Sequence, residues 1–441
     1  MFKKFLPIIL LVLSISCLHA QNFAYVPNNN GTLDVINVST NTVVATIPGF
    51  DHPFCATASP DGQLVYVCSQ PDSVVVVNTA TNSISATISL PGAIGFIGNE
   101  GAAPVVAFSP DGSLAYVFAG GGGVNSTLYV INTASNTVVN SASFGTTFLL
   151  AIAVPASGNT VYLATESGVI VVNANTLATI TSIAPGHILF DLAFSMDGRT
   201  LYASDSSGLA GGQNGVLVIA TTSNTVTTAV PLPNSSFVTG IGVTPDGQHV
   251  YVEEFTLTRP TNSTVFVIDA SVDAVVDTIP ANGDTLTALA ITPDGSTVLA
   301  VNSVLNTTVN SSVLVIPTAT NTIANSVTVG FFPISIATTI LGANIVKCPT
   351  VITQPGTYRL VNDLHCFNTN GIDIRSDNVT LMLDTPSRRT LLISVLPEGA
   401  STRVWGWPPE TRTCRFLVQE PLPVSIAVWI LSRSQIPWSR M

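Results

Sequence analysis

Residues 53–90 read PFCATASPDGQLVYVCSQPDSVVVVNTATNSISATISL, and their plan returns along most of the 441-residue chain. The short apolar run 53–57 predicts a first strand. Ser-Pro-Asp-Gly at 59–62 predicts a turn: proline presets φ, aspartate bonds the turn's N–H groups, and glycine accepts positive φ. Residues 64–68 predict a second strand and 70–73 a second turn. Four consecutive valines at 74–77 suit a strand buried on both faces. Residues 79–83 read as a polar turn. Residues 84–90 alternate apolar with small polar residues, as a half-exposed outer strand does. One four-stranded sheet of this size cannot bury both of its faces, so it needs copies of itself on either side.

Seven copies are countable. The second-strand motif recurs around Tyr25, Tyr66, Tyr116, Tyr162, Tyr202, Tyr251 and Leu299, at spacings of 40 to 50 residues. The turn before it recurs at 59–62, 109–112, 195–198 (with Met196 for proline), 244–247 and 292–295, and in degraded form at 155–158. The third strand and its following turn also appear seven times, from Asp34 to Leu314. The first copy, 23–47, lacks a first strand, whereas residues 332–337 (FPISIA) look like a first strand without a blade. The expected architecture is therefore all-β: a seven-bladed propeller over residues 21–340. Its ring is closed when strand 333–338 joins the sheet of 23–47, three strands from one end of the chain and one from the other.

The SPDG…YV…VIN..TNTVVATI pattern resembles the YVTN-type β-propeller repeat of exported and cell-surface bacterial and archaeal proteins, over roughly residues 23–339. WD40 fits poorly, because every tryptophan lies after residue 400. The resemblance implies a seven-bladed ring, mostly without assigned chemistry. The wider propeller group includes lactonase-like enzymes and redox-enzyme scaffolds, so the fold alone does not decide function.

Residues 1–20 carry Lys3 and Lys4, an apolar run and Ala20, the layout of a secretory signal. The expected location is therefore outside the cytoplasm: periplasmic, at the cell surface or secreted. No later stretch looks transmembrane. Between residues 21 and 384 there are 22 acidic and five basic side chains, a surface that repels nucleic-acid phosphates. Cys55 and Cys68 lie at nearly equal distances from the turn at 59–62; a cross-strand disulfide and two buried thiols both fit that placement. Cys348 and Cys366 bracket a later segment and form a second candidate pair.

Residues 345–384 resemble the opening of a pectate-lyase-like parallel β-helix, with PGTYRLVNDL and GIDIRSDNVTLMLD as its first strands. A solenoid needs several stacked coils, and this stretch supplies about one. Composition then changes: residues 385–441 hold all four tryptophans and seven of the eleven arginines. That break predicts an irregular, basic, aberrant end, such as a shifted reading frame would produce. The alternative is a genuine tail that touches a membrane or partner.

In a propeller the loops entering the innermost strands open on one face near the axis. Those loops contain Asp51, His52, Glu100, His187, Asp284, Phe331 and Phe332. The two histidines with Asp51 or Glu100 make a candidate metal set, weighed against ordinary loop residues, which the lack of recurrence around the ring favours. Glu253 and Glu254, with Arg259 near them, read as an internal salt bridge or an exposed ligand contact. The turn aspartates read as structural. No H-E-x-x-H, Cys-x-x-Cys, G-x-S-x-G or complete phosphate loop occurs. These observations predict an exported, non-enzymatic binding or surface-interaction module without a cofactor, meeting proteins or glycans at the cell surface. A lactonase-like enzyme and a truncated remnant of a carbohydrate-active or adhesive protein are the alternatives.

Overall fold

The computed structural model describes residues 21–90, 105–121, 124–210, 214–233, 237–255, 262–282, 285–304 and 309–341, with short strands between residues 344 and 430. The expected signal segment, residues 1–20, lies outside these. Gln21–Leu341 is one compact unit. It is a seven-bladed β-propeller of seven four-stranded antiparallel sheets. Blade 2 runs Cys55–Ala58, Leu64–Ser69, Ser73–Asn78 and Ser83–Ser89, from the axis outward. The five blades after it repeat this order, and blade 1 is built from both ends of the unit.

Closure occurs where the repeat count demands it, with the closing strand displaced a few residues along the chain. Ala337–Leu341 pairs antiparallel with Gln21–Asn28, Tyr25 opposite Ala337 and Gln21 opposite Leu341. The expected closing strand was 333–338. The ladder instead starts at Ala337, and residues just ahead of it bond to other blades. The Pro333 carbonyl accepts from Thr287 Oγ1, and Ser335 Oγ accepts from Ala56 N–H. The innermost strands touch one another in an unbroken circle, with Ala337–Leu341 between Thr285–Ile291 and Cys55–Ala58.

Strand alternation builds the core. In blade 1, Tyr25 and Val35 pack toward blade 2 with Val65 and Val75, while Ala24 and Ile36 pack toward blade 7 with Val301 and Val313. Each interblade space is filled in this way, so no blade is stable without neighbours. The outermost strands are mostly exposed. In blades 1 to 6 the outermost strand has a register shift at the same place, for example between Val76 and Val77. Such bulges twist a sheet edge away from intermolecular pairing.

The second unit is described by itself. Asn344–Ile345, Gly356–Leu360 and Val379–Asp384 are parallel neighbours, as are Thr350–Ile352 and Ile372–Ile374. Pairing turns antiparallel with Thr390–Val395, just past the composition break at Asp384. Short strands occur in the stretch expected to be irregular, at apolar runs such as Ile426–Ile430. Cys348 and Cys366 lie outside the described residues. Among the described residues no helix is long and apolar enough to cross a membrane.

Candidate functional site: the loop face around His187

On one face of the ring, in blades 1, 2, 4 and 5, the segment leading into the innermost strand bonds to the turn between the second and third strands of the same blade. In blade 2 the Asp51 carbonyl accepts from Gln70 N–H and Ser69 Oγ, and Asp51 N–H donates to that same hydroxyl. The loop is thereby fixed to the sheet. Asp51 and His52 contact each other, Oδ1 to Nδ1, at 2.6 Å, and both are exposed. His52 has φ of 41°, a left-handed conformation that aims its ring outward. Directly beneath, Cys55 and Cys68 are joined in a disulfide, opposite each other in the ladder with Cα atoms 5.0 Å apart.

Blade 5 holds the second histidine differently. Asp205 ends the second strand, and its side chain is only 4% exposed. Its Oδ2 lies 2.7 Å from His187 Nδ1. Its Oδ1 accepts from Ser207 N–H at 3.0 Å and from the Ser207 hydroxyl. Ser207 Oγ in turn accepts from Ile188 N–H at 3.3 Å. The carboxylate therefore fixes the imidazole through Nδ1. The His187 side chain is 39% exposed, with Nε2 left for a ligand or a proton. Two residues flanking the loop's bend, Ala184 and Gly186, have φ of 50° and 90°.

Below this loop, toward the axis, lies a cluster that the sequence did not reveal. Asp191, on the innermost strand of blade 5, accepts from Leu192 N–H and, across the blade interface, from Ile241 N–H. Glu253, on the second strand of blade 6, is fully buried; its Oε1 accepts from Thr239 Oγ1 at 3.2 Å. Its Oε2 finds no hydrogen-bond partner among the described residues. Burial pushes Asp191 up to about 7 against the pull of its two N–H donors. Burial, with the nearby Asp191 adding to it, pushes Glu253 up to about 8. Glu253 and Glu254 are buried, which corrects their reading as an exposed ligand contact; a salt bridge to Arg259 falls outside the described residues. The enabling residue is Gly240, where a Cβ would sit 2.8 Å from Glu253 Oε1. An acid inside the apolar strand LFDLAF was the available signal for Asp191.

His52 and His187 do not converge. Each is paired with its own aspartate, and among the described residues no three His, Cys, Asp or Glu side chains are grouped to hold a metal. Glu100 and Asp284 lie outside the described residues. Phe331 contributes a carbonyl to Asn29 N–H, and Phe332 has φ of 47°.

No protein-family model matches the chain, and no curated protein matches it. Among solved structures the chain is similar to Kuenenia stuttgartiensis hydrazine synthase. The TM-score is 0.49 with 20% identity, over 59% of this chain and 76% of that one. No side-chain role is carried over from that likeness.

Proposed function

We propose that this chain is an exported, YVTN-type propeller that works as a non-enzymatic binding module. It meets a protein or glycan at the cell surface through the loop face bearing His52 and His187. The observation that carries this reading is the fixation of His187: a buried carboxylate holds a part-exposed imidazole on a loop pinned to a rigid blade. Preorganised polar groups on such a scaffold recognise a polar partner at little entropic cost. The Cys55–Cys68 disulfide supports export, since cross-links of this kind persist in oxidising compartments. The parallel ladder of Gly356–Leu360 and Val379–Asp384 supports reading residues 345–384 as the start of a pectate-lyase-like β-helix. The test is a glycan array and a surface-protein binding screen with the mature full chain, repeated with His187→Ala and Asp205→Asn. Binding that both substitutions weaken supports the proposal. Binding indifferent to both places recognition elsewhere and overturns it.

One observation favours a second reading. An aspartate-held, part-exposed imidazole is also how a general base is presented. A lactonase-type activity at the same place predicts turnover of simple lactones, in assays with divalent metal supplied. Its rate would vanish in His187→Ala.

A further inference from the structure

The opposite face of the ring, where the Ser/Thr-Pro-Asp-Gly turns gather, has a different chemistry. An open depression of about 330 Å³ sits among the turns of blades 2 to 6. Its walls include Pro60, Phe108, Pro110, Phe194, Met196 and Pro245. Phe108 and Phe194 are held by edge contacts with Tyr66 and Tyr162, at centroid distances of 4.9 Å and 5.2 Å. The two hydroxyls in the lining are already committed. Ser195 Oγ donates to Asp197 at 2.7 Å and Thr244 Oγ1 to Asp246 at 2.6 Å. The depression is therefore apolar and preformed, and it offers no free side-chain donor.

Its rim is anionic. Asp61, Asp111, Asp197 and Asp246 each follow a lining residue directly, and all four are exposed. At Asp111 partial burial opposes ionisation, but hydrogen bonds from Ser109 and Ser113 outweigh it and hold the carboxyl below its usual range. At Asp197 the Arg199 N–H and the Ser195 hydroxyl do the same. Arg199 is the only Lys or Arg among the described residues of the ring, with Nε 3.9 Å from Asp197. Across residues 21–341 there are 18 acidic and two basic side chains. An apolar cup within a carboxylate rim complements a ligand with an apolar tip and positive flanks.

We propose that this depression is a second docking site, seating one aromatic or aliphatic side chain of a partner polypeptide whose adjacent residues are Lys or Arg. It is independent of the loop face around His187. Calorimetric titration of the mature full chain tests it, using the capped peptides KKFKK, EEFEE and KKGKK and the small cation phenethylammonium. KKFKK should bind one-to-one and weaken as salt is raised. Loss of the anchor in KKGKK should cost about tenfold or more. EEFEE should not bind, and phenethylammonium should bind at least tenfold more weakly than KKFKK. Met196 is 65% exposed, so Met196→Lys leaves the fold intact and should abolish binding, while Met196→Leu retains it. His187→Ala should leave KKFKK binding unchanged. Equal binding of KKGKK, of EEFEE or of phenethylammonium overturns the proposal, as does indifference to Met196→Lys or loss with His187→Ala.

Discussion

Leu299 stands where the other six blades place a tyrosine, and the consequence is visible in the neighbouring blade. Tyr25, Tyr66, Tyr162 and Tyr251 donate to Asn82, Asn136, Asn224 and Asn321, each an asparagine in the outer turn of the next blade. Those asparagines have φ near 50°, where asparagine is tolerated and most side chains are strained. Tyr116 donates instead to the Ala174 carbonyl, in the blade whose outer turn has Leu177 at positive φ. Burial pushes Tyr66 and Tyr251 up to about 12, so they remain donors. Leu299 has no hydroxyl, and Asn41 Oδ1 in blade 1 is buried without a partner among the described residues. Leu299→Tyr is expected to stabilise the protein by about 1 kcal/mol, read as a raised denaturation midpoint with unchanged slope. A lowered midpoint would show that this seam is too tight for the ring. The turn prolines obey the same logic. A Cβ on Gly112 or Gly295 would lie 3.6 Å or 2.9 Å from Pro60 or Pro245 Cδ in the preceding blade. Gly247 follows the blade with Met196 and would meet nothing within 4 Å. Met196→Pro fills that gap and is expected to add about 0.4–1 kcal/mol of thermal stability, measured by calorimetry.

Two acids at the blade 5–6 interface give a pH dependence whose sign is fixed. Folding raises the pKa of Asp191 and of Glu253, so between about pH 4 and pH 8 the native state holds more protons than the unfolded chain. Stability from these groups is complete below pH 4 and is lost as pH rises through 7 and 8. Denaturation at pH 5 and pH 8 should show the decline, and Glu253→Gln should shrink it. An unchanged slope in that variant would mean Glu253 is already ionised in the fold.

Single strands gain their meaning from their partners. Ser73–Asn78 is buried on both faces, as four valines require, while Ser83–Ser89 is mostly exposed. Blade 2 is the blade with a covalent link between its two innermost strands, Cys55 to Cys68 across 13 residues. Replacing both cysteines by alanine is expected to cost about 3 kcal/mol on the chain-entropy account of a loop near that size. Urea titration of the oxidised protein and the double variant measures it. The residue types in the turns were legible because each does a local job. Ser59 Oγ donates to Asp61 Oδ1, which accepts from Gln63 N–H, and Gly62 takes φ of 69°. The same two contacts and the same positive glycine φ recur at the turns of Asp111, Asp197, Asp246 and Asp294.

At the scale of the whole ring, closure distinguishes a stable circle from an open stack. Deleting residues 333–341 removes the innermost strand of blade 1 and exposes the faces that Ala24, Tyr25 and Ile36 bury. The shortened chain is expected to lose cooperative unfolding and to become sensitive to protease near residue 21, which limited proteolysis with mass spectrometry would detect. The two faces of the intact ring then divide the chemistry: polar, pinned loops on one side, and an apolar cup with an acid rim on the other.

The amino-acid order determined the blade, the number of blades and the pairing of the two ends, because turns and strand alternation act over a few residues and repeat. It did not determine that Asp205 grips His187, that Asp191 lies near Glu253, or that Asn41 waits opposite Leu299. The first two pairs are 18 and 62 positions apart in the chain, and the third is placed by the tyrosine–asparagine contacts of the other blades. The His187–Asp205 grip forms when blade 5 pairs its two innermost strands; the other two depend on which blades become neighbours, which is settled only when the circle closes.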